Sequence, residues 1–472
     1  MRHPVRLAVA VAVAASLTGS VLAVSAGNAV AAPSRLADDF NGDGFRDLAV
    51  GMPAKMVNGK RGAGAVLVTF GSARGLTSQH VTVSQNSTGV PGAAEADDHF
   101  ASSLASGDVN RDGYADLLVG SEGEGVPGAS LSGAVTVLWG GPSPLRSGLL
   151  LPSGPSYPSR MFGADIAVGD FTGDSAPDVA VSTATSLKLY SGTFTRTTAP
   201  SGYEVPAADG GGWHITAGDF NGEGKDELAV VLRDATIVYG QTPGTTDLAS
   251  FSEQARLAGG NAVAAGDLNG DGRDDLAIGL SDPRLYPNGR PDPSGASGYV
   301  TVHYGTANGL DPARRIYHQN TAGVPGGNER GDNFGAALAI GDINGDHRAD
   351  LAVGIPYESL AQSVRAGDVV VLRGGSGGLT TTGAAHYTQD TPGVPGTSEN
   401  ADVFGSQVRL ADFNRDGKAD LAVTAPYEDE GSGAVWQLRG TSSGLSTSGV
   451  TLFGPTQYGV ASGSEIGTTL LD

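Results

Sequence analysis

Seven short acidic segments carry most of the chemistry that this sequence can offer. Each reads, with small edits, Asp-x-Asn-x-Asp-Gly-x-x-Asp, and they begin at Asp39, Asp108, Asp170, Asp219, Asp267, Asp342 and Asp412. The pattern sets oxygen-bearing side chains at positions 1, 3, 5 and 9 and leaves position 7 to offer its backbone carbonyl. Oxygen donors gathered on one tight loop suit a hard cation. Calcium takes roughly six to eight oxygens at flexible angles, whereas magnesium demands near-octahedral order, so such a loop favours calcium.

The expected ligands of the first loop are Asp39, Asn41, Asp43, the carbonyl of Phe45, and Asp47; of the second, Asp108, Asn110, Asp112, Tyr114 and Asp116. The fifth uses Asp267, Asn269, Asp271, Arg273 and Asp275, and the sixth Asp342, Asn344, Asp346, Arg348 and Asp350. The seventh uses Asp412, Asn414, Asp416, Lys418 and Asp420, residues 7 again through the backbone. Two loops depart from the pattern and carry a weaker expectation of metal. The third has Asp170, Thr172, Asp174 and Asp178 with Ser175 at position 6; the fourth has Asp219, Asn221, Glu223 and Glu227. The sixth puts His347 where glycine is usual and keeps its ligands. About five to seven structural calcium ions are expected.

An EF-hand shares this spacing but needs a bidentate Glu at position 12 between flanking helices. Position 12 here is Val50, Val119, Val181, Val230, Ile278, Val353 or Val423. The bland reading, that Asp-Gly and Asn-Gly are ordinary turn formers, leaves 21 carboxylates packed into seven loops with nothing to offset their repulsion.

The elements that must position these loops are strands. After each loop comes a short apolar run such as Leu48-Ala49-Val50-Gly51 or Leu421-Ala422-Val423, too short for a helix. A further strand alternates and ends in glycine, as in Ala134 to Gly140 and Tyr299 to Gly305, and an outer strand fits after the Gly-Leu turns at 75, 309, 378 and 444. Roughly four strands per repeat, no helical stretch and seven copies predict a seven-bladed β-propeller of four-stranded antiparallel blades, all-β in class. Ile466 to Leu470 matches Phe334 to Leu338 in pattern, and the first repeat lacks that strand. The C-terminal strand is therefore expected to close the ring and remove the open sheet edges.

Bulk properties agree. The chain has 472 residues, 74 glycines, no cysteine, and 29 Lys and Arg against 50 Asp and Glu, a formal net charge of −21. That balance argues against nucleic-acid or anionic-membrane partners. Arg2 and Arg6, an apolar run from Leu7 to Ala15 and the small residues Ala29-Val30-Ala31 read as a signal peptide over residues 1–31, with the propeller over 32–472. The alternative, a membrane anchor, meets a run broken by Ser16, Thr18, Gly19 and Ser20. An exported protein without disulfides must be held by packing and metal.

Phe-Gly, then Gly-Asp-x-Asn-x-Asp-Gly-x-x-Asp-Leu, then Val-Gly-x-Pro, as in Val50 to Pro53 and Val353 to Pro356, resembles the FG-GAP repeat that builds the integrin α-subunit head. The resemblance implies cation loops on one face of the propeller and a partner gripped on the opposite face by loops between blades. It implies a calcium-binding adhesion or recognition module with an extracellular protein or glycan ligand, with no membrane insertion and with retention at a cell wall left open. The alternative is a secreted hydrolase, phospholipase- or glycan-active, using the central funnel.

Other motifs dissolve into the repeat. Arg330-Gly331-Asp332 spells a tripeptide that integrins recognise, yet Asp332 occupies the place of Asp98 and Asp402. Gly374 to Gly378 fits Gly-x-Ser-x-Gly but follows an antiparallel strand, where a nucleophile elbow needs an α/β sheet. No His-Glu-x-x-His occurs, and no catalytic constellation is visible. The recurring loops 86–92, 320–326 and 390–396, with Tyr357, Glu358, Tyr427 and Glu428, are the expected partner surface, and a pure packing role competes equally.

Overall fold

A computed structural model of the chain describes residues 36–125, 132–153, 161–206, 214–232, 234–242, 245–282 and 297–471. The expected leader over residues 1–31 lies outside them. The described chain forms seven four-stranded antiparallel sheets, the seven blades of a propeller.

The first blade has the order Thr469–Leu470, Leu48–Met52, Ala65–Thr69, His80–Val83 from the axis outward. The other six follow the sequence. Blade two is Phe100–Gly107, Asp116–Ser121, Ala134–Leu138, Gly148–Leu150, and blade three is Ile166–Gly169, Asp178–Ser182, Ser186–Tyr190, Tyr203–Pro206. Blade four is His214–Gly218, Glu227–Val231, Ala235–Gln241, Phe251–Ala258, and blade five is Ala262–Gly266, Asp275–Leu280, Tyr299–Thr306, Gly309–Tyr317. Blade six is Ala337–Gly341, Asp350–Ile355, Asp368–Arg373, Thr380–Tyr387, and blade seven is Val408–Ala411, Asp420–Ala425, Ala434–Thr441, Gly444–Phe453.

The second strand of every blade is buried along its whole length. Neighbouring blades cover both of its faces, which is why it reads as an unbroken apolar run in the sequence. The outer strands are polar and half exposed, as in Gly309–Tyr317, and so blunt the rim against edge-to-edge pairing.

The Phe-Gly residues stitch one blade to the next. Phe100, Phe162, Phe404 and Ile466 form parallel bridges with Gly64, Gly133, Gly367 and Gly433 of the adjoining hairpin, and all four apolar side chains are fully buried. Gly367 has φ +94° and a Cβ there would strike the Phe404 backbone, so only glycine permits the approach.

In the first blade Val50 lies opposite Leu470 and Gly51 opposite Thr469. Beside this junction Asp38, fully buried, accepts hydrogen bonds from Arg46 Nη1 and Arg409 Nη2, both at 2.7 Å. Arg409 Nη1 also donates to the Leu471 carbonyl at 2.7 Å. Among the described residues helix is confined to short turns of three or four residues, at Leu248–Ser250, Glu428–Gly431 and Pro455–Tyr458. The last is set by Pro455 in its first turn and by Gly459 in the left-handed region after it.

Candidate metal loops and partner face

In blades two to seven the acidic loop joins the innermost strand to the second, and in blade one, whose innermost strand is Thr469–Leu470, it leads into the second strand Leu48–Met52. Its position 2 side chain is an anchor: Phe40, Val109, Phe171, Phe220, Leu268, Ile343 and Phe413 are at most 1% exposed. The backbone then turns sharply around the first aspartate. Asp39 Oδ1 accepts from the amides of Gly42 (2.7 Å) and Asp43 (3.1 Å), and Oδ2 from Gly44 (2.8 Å). Asp170, Asp219, Asp267 and Asp342 repeat this arrangement.

The turn needs two left-handed residues, at positions 4 and 6, and the sequence reading noticed only the second. Position 4 is Gly42, Gly173, Gly222, Gly270 or Gly345, and in the second and seventh loops Arg111 (φ +59°) and Arg415 (φ +61°). The recurrent glycine at position 4 was the available signal. At position 6, His347 and Ser175 both adopt φ +63°.

The ninth position is the most telling. Asp47, Asp116, Asp178, Asp275, Asp350 and Asp420 are completely buried. In the conforming loops one oxygen accepts from the glycine amide that ends the third strand: Gly71 at 3.0 Å, Gly140 at 2.9 Å, Gly305 at 2.8 Å, Gly374 at 2.9 Å and Gly440 at 2.9 Å. The carboxylate thus ties the start of the second strand to the end of the third. Burial, reinforced by the loop's other acids, pushes Asp47 up to about 8, Asp116 and Asp275 to about 7, and Asp420 to about 6. Burial also raises Asp350, where Arg373 Nη1 at 3.1 Å opposes it. These groups sit where a positive charge would relieve them.

The donor set fits a hard cation. Asn269 Oδ1, Asn414 Oδ1 and Asp178 Oδ1 are buried with no hydrogen-bond partner, at positions 3, 3 and 9 of three loops. Buried oxygen acceptors are normally satisfied, and a metal at the centre of each loop would satisfy these. The loops are also linked around the ring. The position 1 carbonyls of Asp39, Asp170, Asp219, Asp267 and Asp342 accept from the amides of Ala115, Asp226, Asp274, Ala349 and Ala419 in the next loop, at 2.7 to 3.1 Å.

The two divergent loops differ locally. In the third, the Thr172 amide donates to Asp178 Oδ2 at 2.9 Å. In the fourth, Glu227 Oε2 accepts from the Phe220 amide at 3.0 Å and Oε1 from Asn221 Nδ2 at 2.5 Å. Both oxygens are then spoken for, and a cavity of about 400 Å3 bounded by Asn221, Glu223, Glu227 and Gln241 opens beside the loop.

Because strands alternate in direction, the interblade loops 84–99, 318–333 and 388–403 and the hairpins between second and third strands lie at the opposite end of the blades. Tyr357 and Tyr427 are 38% and 50% exposed there, and the Arg365 guanidinium sits 4.9 Å over the Tyr357 ring. Glu358 and Glu428, expected beside them on the partner surface, are instead buried, at 5% and 9% exposed. Gln319 and Gln389 hold them at 2.6 Å. Asp332 of the Arg-Gly-Asp segment is 3% exposed and accepts from the Glu329 amide at 2.7 Å, so it is a framework residue. The Gly374 to Gly378 segment is a turn closed by Gly378 N to Gly375 O at 2.7 Å.

Along the axis the inner strands present small or apolar side chains, among them Ala105, Ile166, Ile215, Val263, Ala339 and Val408. Arg409 also lines one of the two clefts there, and Asp38 and the Leu471 carbonyl engage it.

Fold and loops together define a seven-bladed propeller whose inner hairpins are acidic turns. The FG-GAP repeat family matches residues 36–69, 100–138, 259–303, 334–372 and 404–436, and an FG-GAP-like repeat matches 170–230. The chain belongs to the FG-GAP repeat family. Among curated relatives, integrin alpha-4 of Xenopus laevis is 34% identical over 124 residues, 26% of this chain and 11% of its own length. Integrin alpha-3 of Mus musculus is 35% identical over 120 residues, 25% and 10% of the two chains. Integrin alpha-IIb of Mus musculus is 38% identical over 126 residues, 25% and 12%. The chain therefore spans about a tenth of the length of these relatives. Among solved structures, a lectin from Agrocybe aegerita, described as specifically recognising non-reducing terminal N-acetylglucosamine, superposes with a TM-score of 0.51 at 12% identity, over 90% of this chain and 94% of that one. At that identity the likeness is one of fold. No helix among the described residues is long and apolar enough to cross a membrane.

Proposed function

We propose that this protein is an extracellular recognition module in which calcium, held by the acidic hairpin loops, fixes the propeller so that the opposite face can grip a protein or glycan ligand. The observation that carries the reading is the buried ninth-position carboxylate. In five loops it ties the second strand to the third while sharing its loop with two further acids, an arrangement that calls for a cation. Asp39, Asn41, Asp43 and Asp47 and their counterparts in loops two, five, six and seven would supply the side-chain oxygens, and the position 7 carbonyl a backbone oxygen. The third and fourth loops are the weaker sites. Calcium would act structurally, since every side chain of the motif is spent on the ion.

The other face is favoured for recognition because Tyr357 and Tyr427 are exposed there on hairpins, suited to protein contact or to stacking on a sugar ring. The integrin relatives support extracellular adhesion; the lectin supports only the fold. The hydrolase alternative would need a convergent set of polar groups on the axis, where the side chains lining the two clefts are mostly small or apolar.

The test is thermal unfolding in calcium, in magnesium and in excess chelator, with bound calcium counted by elemental analysis. Five or more ions and a large loss of stability on chelation support the structural-metal reading; no bound calcium and no shift overturn it. A glycan array and a panel of extracellular-matrix proteins, probed with the protein and with a Tyr357→Ala, Tyr427→Ala variant, test the face. Binding that survives both changes would place recognition elsewhere.

A further inference from the structure

The acids outside the hairpin loops also repeat, at the far end of the blades. Gln85, Glu95, Asp98 and Glu124 at the junction of blades one and two correspond to Gln319, Glu329, Asp332 and Glu358 between blades five and six, and to Gln389, Glu399, Asp402 and Glu428 between blades six and seven. In all three, the aspartate Oδ2 accepts from the amide of the glutamate three residues earlier, at 2.5, 2.7 and 2.6 Å. In all three, the glutamine Nε2 donates to the hairpin glutamate at 2.5, 2.6 and 2.6 Å. No lysine, arginine or histidine forms a salt bridge with any of these nine acids among the described residues.

Three observations point to a ligand in this place. At the five–six junction one carboxylate oxygen each from Glu329, Asp332 and Glu358 lies within 4.8 Å of the others. A single ion at their centre could touch all three, since calcium–oxygen distances are about 2.3 to 2.6 Å. The carboxamide that abuts the hairpin glutamate also has an orphaned oxygen at every junction: Gln85, Gln319 and Gln389 are 5%, 5% and 1% exposed, and Oε1 of each is buried without a partner. Finally, the chain supplies its own control. At the junction of blades seven and one the three acid positions hold Ala461, Ser464 and Lys55, and Lys55 Nζ lies 3.3 Å from Ser464 Oγ. Where the acids are missing, an ammonium of the protein fills the slot; where all three are present, no lysine, arginine or histidine of the described residues pairs with them.

We propose that the junction of blades five and six binds a calcium-class divalent cation through Glu329, Asp332, Glu358 and the Gln319 side-chain oxygen. This site is distinct from the hairpin loops and does not rest on them. It lies beside Tyr357, so the ion would brace the partner face. The competing occupant is a proton, since burial holds Glu358 up at about 8 and Glu428 at about 7.

The experiment counts calcium by elemental analysis after equilibrium dialysis at pH 8.5, on the full protein. An Asp332→Asn, Glu358→Gln variant is expected to bind one ion fewer than the unaltered protein, and a loop-six variant, Asp342→Asn, Asp346→Asn, one fewer independently, with two lost when they are combined. A junction variant with an unchanged count and a native circular dichroism spectrum means protons alone occupy the cluster, and the proposal fails even if the loops hold calcium. Should the junction variant not fold, terbium replaces calcium and tyrosine-sensitised emission is read instead. Tyr357, whose amide donates to the Asp332 carbonyl at 3.1 Å, is expected to sensitise a bound ion. Tyr357→Phe should then remove a measurable fraction of the emission, and undiminished emission counts against the site.

Discussion

Removing calcium is expected to reverse the direction in which pH acts on stability. In the metal-free fold Asp47 is raised to about 8, chiefly by burial, whereas the unfolded chain releases the same proton near pH ~4. Between those values the folded state holds a proton that the unfolded state does not. The stability this group contributes is fully present below about pH 4 and is lost as pH rises through about 8, at ~1.4 kcal/mol per pH unit, on the order of 5 kcal/mol over the window. Asp116 and Asp275, at about 7, act with the same sign over a shorter span. With calcium bound, the carboxylates stay ionised in the fold and acid competes with the ion, so stability is flat from about pH 6 to 9 and falls on acidification. The assay is the urea midpoint from pH 5 to 9, in chelator and in saturating calcium. In chelator the midpoint should fall steadily with rising pH, and the stabilisation by calcium should grow by several kcal/mol between pH 5 and 8. A chelated protein whose midpoint is flat or rises with pH would refute the argument that buried ninth-position carboxyls control the loops.

Further outcomes follow from the packing. Asp38→Ala should destabilise by about 3 to 5 kcal/mol in urea, because it strands Arg409, whose side chain is 12% exposed, without its buried counter-charge. Phe404→Ala, which empties the contact with Trp436 at a ring separation of 5.2 Å, should lose about 3 to 5 kcal/mol by the same assay. Tyr357→Ala with Tyr427→Ala should leave the urea midpoint within about 0.5 kcal/mol per site, since both side chains are exposed, while weakening ligand capture at least tenfold in a surface-binding assay.

Much of the molecule is legible in its sequence, and the reason is locality. The hydrogen bonds that shape each acidic loop span only two to seven residues, as from Asp39 to Gly42 or from Asp47 to Phe40, so residue type and spacing alone specify the turn. The second strands read correctly because burial on both faces demands an unbroken apolar run. The short helical turn at Pro455–Tyr458 escaped notice because a single turn leaves no periodicity to detect.

The sequence by itself determined seven repeats, the acidic loops and four-stranded blades, since all but the first blade's innermost strand, Thr469–Leu470, are written within one repeat. Only the tertiary structure decided which acids face solvent and which do not. Glu358 and Glu428 follow tyrosines in an exposed-looking hairpin, yet they turn inward onto glutamines 39 residues earlier in the chain. Asp38 and Arg409 meet across 371 residues. Such contacts depend on how neighbouring blades abut, and blade packing brings together side chains that no local window of sequence contains.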